Sequence, residues 1–194
     1  MAEPTTAITD FLLAAVAFVL AARIGGYWRF TFLFTGIAAL SGAMFHSTPS
    51  PFVWKVTVYA IGFATLFLIL AAARATFAFQ VLAFVAVAEF GVYAIWMLTH
   101  DDFTYVIADY GSGMVCIAVL YAFAFRRNPV AAKLVFASIA VAALAAVVQA
   151  TRFTLHRNFN FNDLYHVIQI GSLILLYRGA SAASINAKTA AESR

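Results

Sequence analysis

Seven long apolar stretches constrain the fold of this chain more than any other feature of its sequence. A helix that crosses a bilayer needs about 20 mostly apolar residues. The stretches therefore predict an all-α, polytopic membrane protein, a seven-transmembrane-helix bundle that fills residues 1–178 as a single domain. The polar segment 179–194 is expected to be a flexible cytoplasmic tail. The stretches cover roughly 8–23, 28–46, 52–74, 77–99, 103–125, 131–151 and 162–178.

Composition and charge narrow the class of protein further. Hydrophobic residues make up 64% of the chain and charged residues 10%, which excludes a soluble domain and a disordered chain. The net charge of +4 is assigned to basic loops that set topology, so no nucleic-acid partner is expected. Membrane lipids and other membrane proteins are the expected partners.

The basic residues also predict an orientation. Lys and Arg concentrate in cytoplasmic loops, so the richer set of helix ends is expected inside and the N-terminus outside. The C-terminus is then cytoplasmic, and a bacterial inner membrane is the expected location. The richer set is Arg23, Arg29, Arg74, Arg126, Arg127, Lys133 and Arg178, and the poorer set is Lys55, Arg152 and Arg157.

Polar side chains gather near the predicted outer ends of the helices. All four histidines lie at the ends of apolar stretches on that side: His46, His100, His156 and His166. Asn162, His166 and Gln169 are spaced four and three apart, so they share one face of the seventh helix. The second and seventh helices run in opposite directions, so His46 and His166 can meet at similar depth.

This pattern is typical of a metal site, although other cofactors remain open. Two imidazoles with a carboxylate or carboxamide suit zinc, and zinc turns bound water into a nucleophile near neutral pH. His46, His166 and Asn162 are the candidate ligands, and Asp163 and Asp109 are the candidate catalytic carboxylates. A bis-histidine haem is the weaker alternative. Retinal is not expected, because none of the lysines, at 55, 133 and 188, lies inside the seventh apolar stretch.

The segments around His46 and His166 resemble the CREST superfamily, which includes alkaline ceramidases and the progestin and adipoQ receptors. The resemblance implies a seven-helix bundle, a zinc ion held by one histidine at the end of the second helix and two on the seventh, and a nearby serine and aspartate. Only His46 and His166 match these ligands. Gly42 stands at the serine, Asn162 at the first histidine of the pair, and Lys55-Val56-Thr57 has no aspartate.

Two classes of function follow. The leading hypothesis is a zinc-dependent hydrolase that acts on a membrane lipid amide or ester. The alternative is a non-catalytic subunit or receptor-like protein of a larger complex. Separately, Glu89 lies near the middle of the fourth stretch, where it is either a protonated structural hydrogen-bond donor or part of a proton path.

Overall fold

The computed structural model describes residues 4–74 and 79–192, the last eight by backbone alone, and they fold into seven α-helices. All seven are long and apolar enough to cross a membrane. The chain is therefore an all-α protein with the helix content of a seven-helix membrane bundle. The helices are α1 (Pro4–Arg23), α2 (Gly26–Ser47), α3 (Pro51–Ala73), α4 (Phe79–Trp96), α5 (Phe103–Ala124), α6 (Pro129–Thr151) and α7 (Phe161–Glu192).

Short polar or proline-containing segments begin several helices. α3 and α6 each start at a proline, whose missing N–H is not needed in a first helical turn. The Asn128 side chain accepts a hydrogen bond from the Ala131 N–H and caps α6. Asp102 caps α5 by accepting from the Thr104 N–H at 2.8 Å, and this bond lowers the pKa of the Asp102 carboxyl.

Six of the helices close into a ring. α1 packs against α2 and α7, α3 joins α2 to α5, and α6 joins α5 to α7. The fourth helix lies outside this ring and packs on α3. Accordingly, 72% of the spanning window of α3 is buried but only 11% of that of α4. The ring can enclose a site, and α4 presents its apolar side chains outward.

The seventh helix is longer than its apolar stretch. The sequence predicts a flexible tail over 179–194, whereas the helix continues through Glu192. Ala is the best helix former, and the segment after Arg178 is rich in it. The final two residues of the expected tail, 193 and 194, lie outside the described residues.

Close packing of α6 on α7 depends on Gly179. A Cβ placed there would lie 2.8 Å from Val135 Cγ2 and 3.2 Å from the Ala131 carbonyl oxygen. We expect Gly179→Ala to destabilise the bundle by about 1–3 kcal/mol, since a stiff side chain and a backbone atom must shift. Thermal unfolding in detergent measures the effect. Gly171→Ala on the same helix is the control, because its Cβ would meet only Val141 at 3.9 Å; equal midpoints for the two variants would contradict the prediction.

Candidate functional site

Side chains from three helices meet at the end of the bundle where the odd-numbered helices begin. Asp10 of α1 lies between two histidines. Its Oδ1 is 3.2 Å from His166 Nε2, and its Oδ2 is 3.9 Å from His46 Nε2. Asp10 and His166 are buried, whereas the His46 side chain remains 25% exposed. One buried carboxylate thus faces two imidazoles, an arrangement that a protein interior holds only if the charges are balanced.

The Thr9 hydroxyl orients the His166 ring. It donates to the Thr6 carbonyl at 3.0 Å and lies 3.0 Å from His166 Nδ1. If the hydroxyl keeps its one hydrogen on the Thr6 carbonyl, its oxygen accepts from the Nδ1–H of the ring and the lone pair of Nε2 faces Asp10 Oδ1, ready for a metal ion or a proton. If the hydroxyl instead donates to Nδ1, the Nε2–H donates to Asp10 Oδ1. In both tautomers Thr9 fixes one nitrogen of the ring and Asp10 faces the other.

Gly42 gives the Asp10 carboxylate its space. A Cβ at this position of α2 would lie 2.9 Å from Asp10 Oδ2, closer than real side chains approach. The glycine is buried one helical turn before His46. Any larger residue there would push the carboxylate away from its place between the two histidines.

The cluster forms the polar end of a cavity of about 500 Å³ inside the six-helix ring. Ligand pockets commonly have such volumes and are mainly apolar with a few polar groups. The polar lining near the cluster includes Thr57, Tyr165 and Gln169, and Thr35 lies further along α2. Away from the cluster the wall is mainly apolar and includes Met114, Val119, Ile139 and Leu173. The cavity therefore suits a ligand with a polar group at one end and hydrocarbon at the other.

The cavity also opens sideways between α5 and α6. Val115 and Val119 of α5 line it and are 66% and 50% exposed. Ala143, which lines it from α6, is exposed as well. A ligand can thus reach the cavity from the side of the bundle as well as from its end.

The candidate residues at the start of α7 have other neighbours. The Asn162 side-chain oxygen accepts from Gln149 Nε2 at 3.1 Å. Asp163 Oδ2 accepts from the Asn160 N–H at 2.7 Å, and Asn160 Oδ1 accepts from the Asp163 N–H, so these two residues cap the helix. Asp163 is fully buried and still acts electrostatically on Asp10. It neighbours the cluster, and Asp10 is the carboxylate that the histidines face.

The remaining candidates lie elsewhere. Asp109 interacts with Glu89 of α4 and forms a separate acidic pair. The His100 ring stacks on Trp96 with centroids 3.8 Å apart. His156 belongs to the turn before α7, where its Nδ1 accepts from the Asn158 N–H. Of the four histidines, only His46 and His166 face Asp10.

Sequence reasoning did not identify Asp10 and Thr9 as site residues. Because the sequence predicts that α1 starts near residue 8, Asp10 is expected to be a charged residue at the end of the helix. The helix begins at Pro4, which puts Asp10 about 9 Å inside the start of the helix at 1.5 Å per residue. A carboxylate within an apolar span, close to Thr6 and Thr9 on the same helix, was the signal that could have revealed it.

The two imidazoles and the carboxylate are ligand types that zinc prefers. The distance from His46 Nε2 to Asp10 Oδ2 is longer than in a metal-bound site. Two imidazole nitrogens and one carboxylate leave a fourth position free, as in catalytic zinc sites. His166 is held through its second nitrogen, as metal-binding histidines are. Among the described residues, however, no group of three or more His, Cys, Asp or Glu side chains is arranged to hold a metal ion. The wider contact is the one made by His46.

Comparisons with known proteins give this chain a family. No curated protein and no solved structure matches it. A family model matches residues 5–184, which reach into all seven helices and contain every residue of the cluster. The chain belongs to DUF6962, a family of unknown function.

Proposed function

We propose that this chain is a membrane-embedded hydrolase that cleaves an amide or ester bond of a lipid. The observation that carries the proposal is the buried Asp10 carboxylate between His46 and His166, at the polar end of an apolar cavity. Hydrolysis needs an activated water molecule and a group that takes its proton. The open volume beside the cluster has room for the water molecule, and the carboxylate and the two imidazoles are groups that can accept its proton.

A divalent metal ion, with zinc as the leading candidate, is part of this proposal. Asp10, His46 and His166 would hold it, and it would supply a water molecule acidified to near neutral pH. With its oxygen accepting from the Nδ1–H of His166, Thr9 would keep the Nε2 lone pair directed toward the metal ion. Gly42 leaves the carboxylate in reach of both rings. His46, in the last turn of α2 and partly exposed, is the side chain with room to adjust.

The cavity supports a lipid as the substrate. Its polar end would receive the scissile amide or ester, and its apolar length would exclude water from an acyl chain. The opening between α5 and α6 would let that chain enter from the bilayer. The resemblance of the His46 and His166 segments to the CREST superfamily supports the same substrate class.

The orientation belongs to the proposal as well. The N-terminus would lie outside and the C-terminus in the cytoplasm of a bacterial inner membrane, because the basic residues concentrate at the ends opposite the cluster. The site would then act on lipids of the outer leaflet. Lys55 and Asp101, at the cluster end, form a salt bridge of 2.8 Å, which reduces the free positive charge on that side.

The two rival functions predict other properties. A bis-histidine haem would have to displace Asp10, which faces both imidazoles, so the geometry favours an ion over a porphyrin. A non-catalytic subunit of a larger complex remains the alternative from another class. Stoichiometric partners after mild purification, together with no turnover by the isolated chain, would favour that alternative over the hydrolase.

Metal content tests the proposed ligand set. Elemental analysis of the protein purified with zinc should give about one ion per chain for wild type. Asp10→Asn and His166→Ala should bind zinc at least about tenfold more weakly, and should therefore lose metal during purification. His100→Ala is the control, because that histidine stacks on Trp96 away from the cluster. Wild-type protein without bound divalent metal, or equal metal in all variants, would refute the metal-dependent mechanism.

Gly42→Ala tests the space around the carboxylate without removing any ligand. The new Cβ would displace Asp10 Oδ2, so we expect metal affinity to fall by about tenfold to a hundredfold, as when a supporting group is lost. Zinc titration against a competing chelator measures it. Gly91→Ala, with nothing within 4 Å of its Cβ, serves as the matched control. Unchanged affinity in Gly42→Ala would show that Asp10 does not depend on this gap.

A further inference from the structure

A second acidic pair lies outside the cavity, at the contact between α4 and α5. Asp109 is buried at 6% exposure, and neither of its carboxylate oxygens has a partner in normal hydrogen-bond geometry, although the Thr65 hydroxyl lies close enough to act on the carboxylate. Glu89 acts on it directly, and Glu89 Oε2 is also buried without a partner. Two carboxyl groups thus lie together between α4 and α5, and neither belongs to the site proposed for hydrolysis.

The hydroxyl groups around Glu89 and Asp109 do not provide the hydrogen-bond donors that two ionised carboxylates would need. Thr65 donates its hydrogen to the Ile61 carbonyl at 3.2 Å, and Tyr93 donates to the Val58 carbonyl at 2.9 Å. Ser112 lies 2.7 Å from the Asp109 carbonyl oxygen and 3.0 Å from Glu89 Oε1, with one hydrogen for both acceptors. Each of these hydroxyls thus has a backbone carbonyl that competes for its one hydrogen, so together they do not supply enough donors for two ionised carboxylates.

Nothing positively charged faces the pair in the described part of the chain. The titratable groups that interact with it are Tyr93 of α4 and Cys116 of α5. Neither carboxylate has a salt-bridge partner among the described residues. Ionised acids in a span normally pair with a cation or face a water-filled path. Protons on the two acids remove the charge and supply the donors that the surrounding oxygens lack.

We infer that Glu89 and Asp109 form a proton-binding site that opens toward the lipid side of the bundle between α4 and α5. A protonated Glu89 donates to Ser112, which frees the serine hydrogen for the Asp109 carbonyl. A protonated Asp109 has Glu89 Oε2 and the oxygen of Thr65 as acceptors. Ser112 is exposed and Glu89 is half-buried, so the pair borders the outer surface of the bundle and not the enclosed cavity.

Infrared spectroscopy of the full chain in lipid nanodiscs tests this inference. At neutral pH, the wild-type protein should show the C=O stretching band of protonated carboxylic acids, and the band should shift in deuterated water. Glu89→Gln and Asp109→Asn should each remove part of the band. Asp102→Asn is the control, because Asp102 is an exposed helix cap outside the spans. A band unchanged by both test variants would overturn the inference.

Carbodiimide labelling gives a second readout that needs no variant. Dicyclohexylcarbodiimide is apolar and modifies protonated carboxyl groups in membranes, so peptide mass spectrometry should find its adduct on Glu89 of the wild-type protein. No adduct on Glu89 would contradict the inference. Strong protection by sodium ions at constant pH would also overturn it, since the pair would then hold a metal cation instead of a proton.

Discussion

His166→Ala should reduce lipid hydrolysis by about a hundredfold or more, the range expected when a group that activates water is removed. His166 is the buried histidine of the cluster, 3.2 Å from Asp10, and its ring is fixed by Thr9. Asp10→Asn should produce a loss of similar size, because the amide keeps the shape of the carboxylate and removes its charge. In this proposal the two residues act as a unit, so the double variant should be little worse than either single variant.

The measurement uses micelles that contain fluorescent N-acyl amino alcohols and acylglycerol esters, with product separated by chromatography. His100→Ala is the matched control. It removes a histidine at the same end of the bundle that stacks on Trp96 and does not face Asp10. The cluster variants and the control His100→Ala should all purify as folded protein with the same helix content. Full activity in His166→Ala would exclude the proposed site, and no activity in wild type with any probe would favour the non-catalytic alternative.

The fold could be predicted from the sequence because a membrane span has a simple signature. Each apolar stretch corresponds to one helix of the structure, and the differences lie at the ends. α1 begins four residues before its apolar stretch, because Pro4, Thr5 and Thr6 are polar or neutral yet fit a first helical turn. Hydropathy cannot show this, because helix starts are set by local backbone geometry and not by transfer into lipid.

The site was only partly predictable, for a different reason. Antiparallel helices put His46 and His166 at the same end, and the spacing along the seventh helix put His166 on one face with Asn162 and Gln169. Which carboxylate joins them depends on which helices are neighbours around the ring, and hydropathy carries no such information. Asp109 and Asp163 looked as suitable as Asp10 in sequence, but α5 directs Asp109 to Glu89, and Asp163 serves as a helix cap.

Gly111→Leu should reduce hydrolysis of long-chain lipids by about tenfold to a hundredfold, the effect of a few misplaced methylene groups in an apolar pocket. Gly111 lines the cavity on α5, and a Cβ there meets nothing within 4 Å. The leucine side chain would therefore extend into open volume without disturbing the helix packing. It lies apart from Asp10, His46 and His166, so the groups that activate water should be intact.

Varying the acyl-chain length of the substrate distinguishes a variant whose cavity is partly filled from a variant whose catalytic groups are disturbed. A series of substrates with one head group and increasing chain length should show a growing loss of kcat/KM in Gly111→Leu, with the shortest substrates nearly unaffected. Gly91→Leu is the control, since its Cβ also meets nothing within 4 Å but α4 does not line the cavity. An equal loss at every length would mean that the variant disturbs the catalytic groups. No loss at any length would mean that the hydrocarbon chain binds elsewhere, because a leucine inside the occupied volume must compete with the substrate for it.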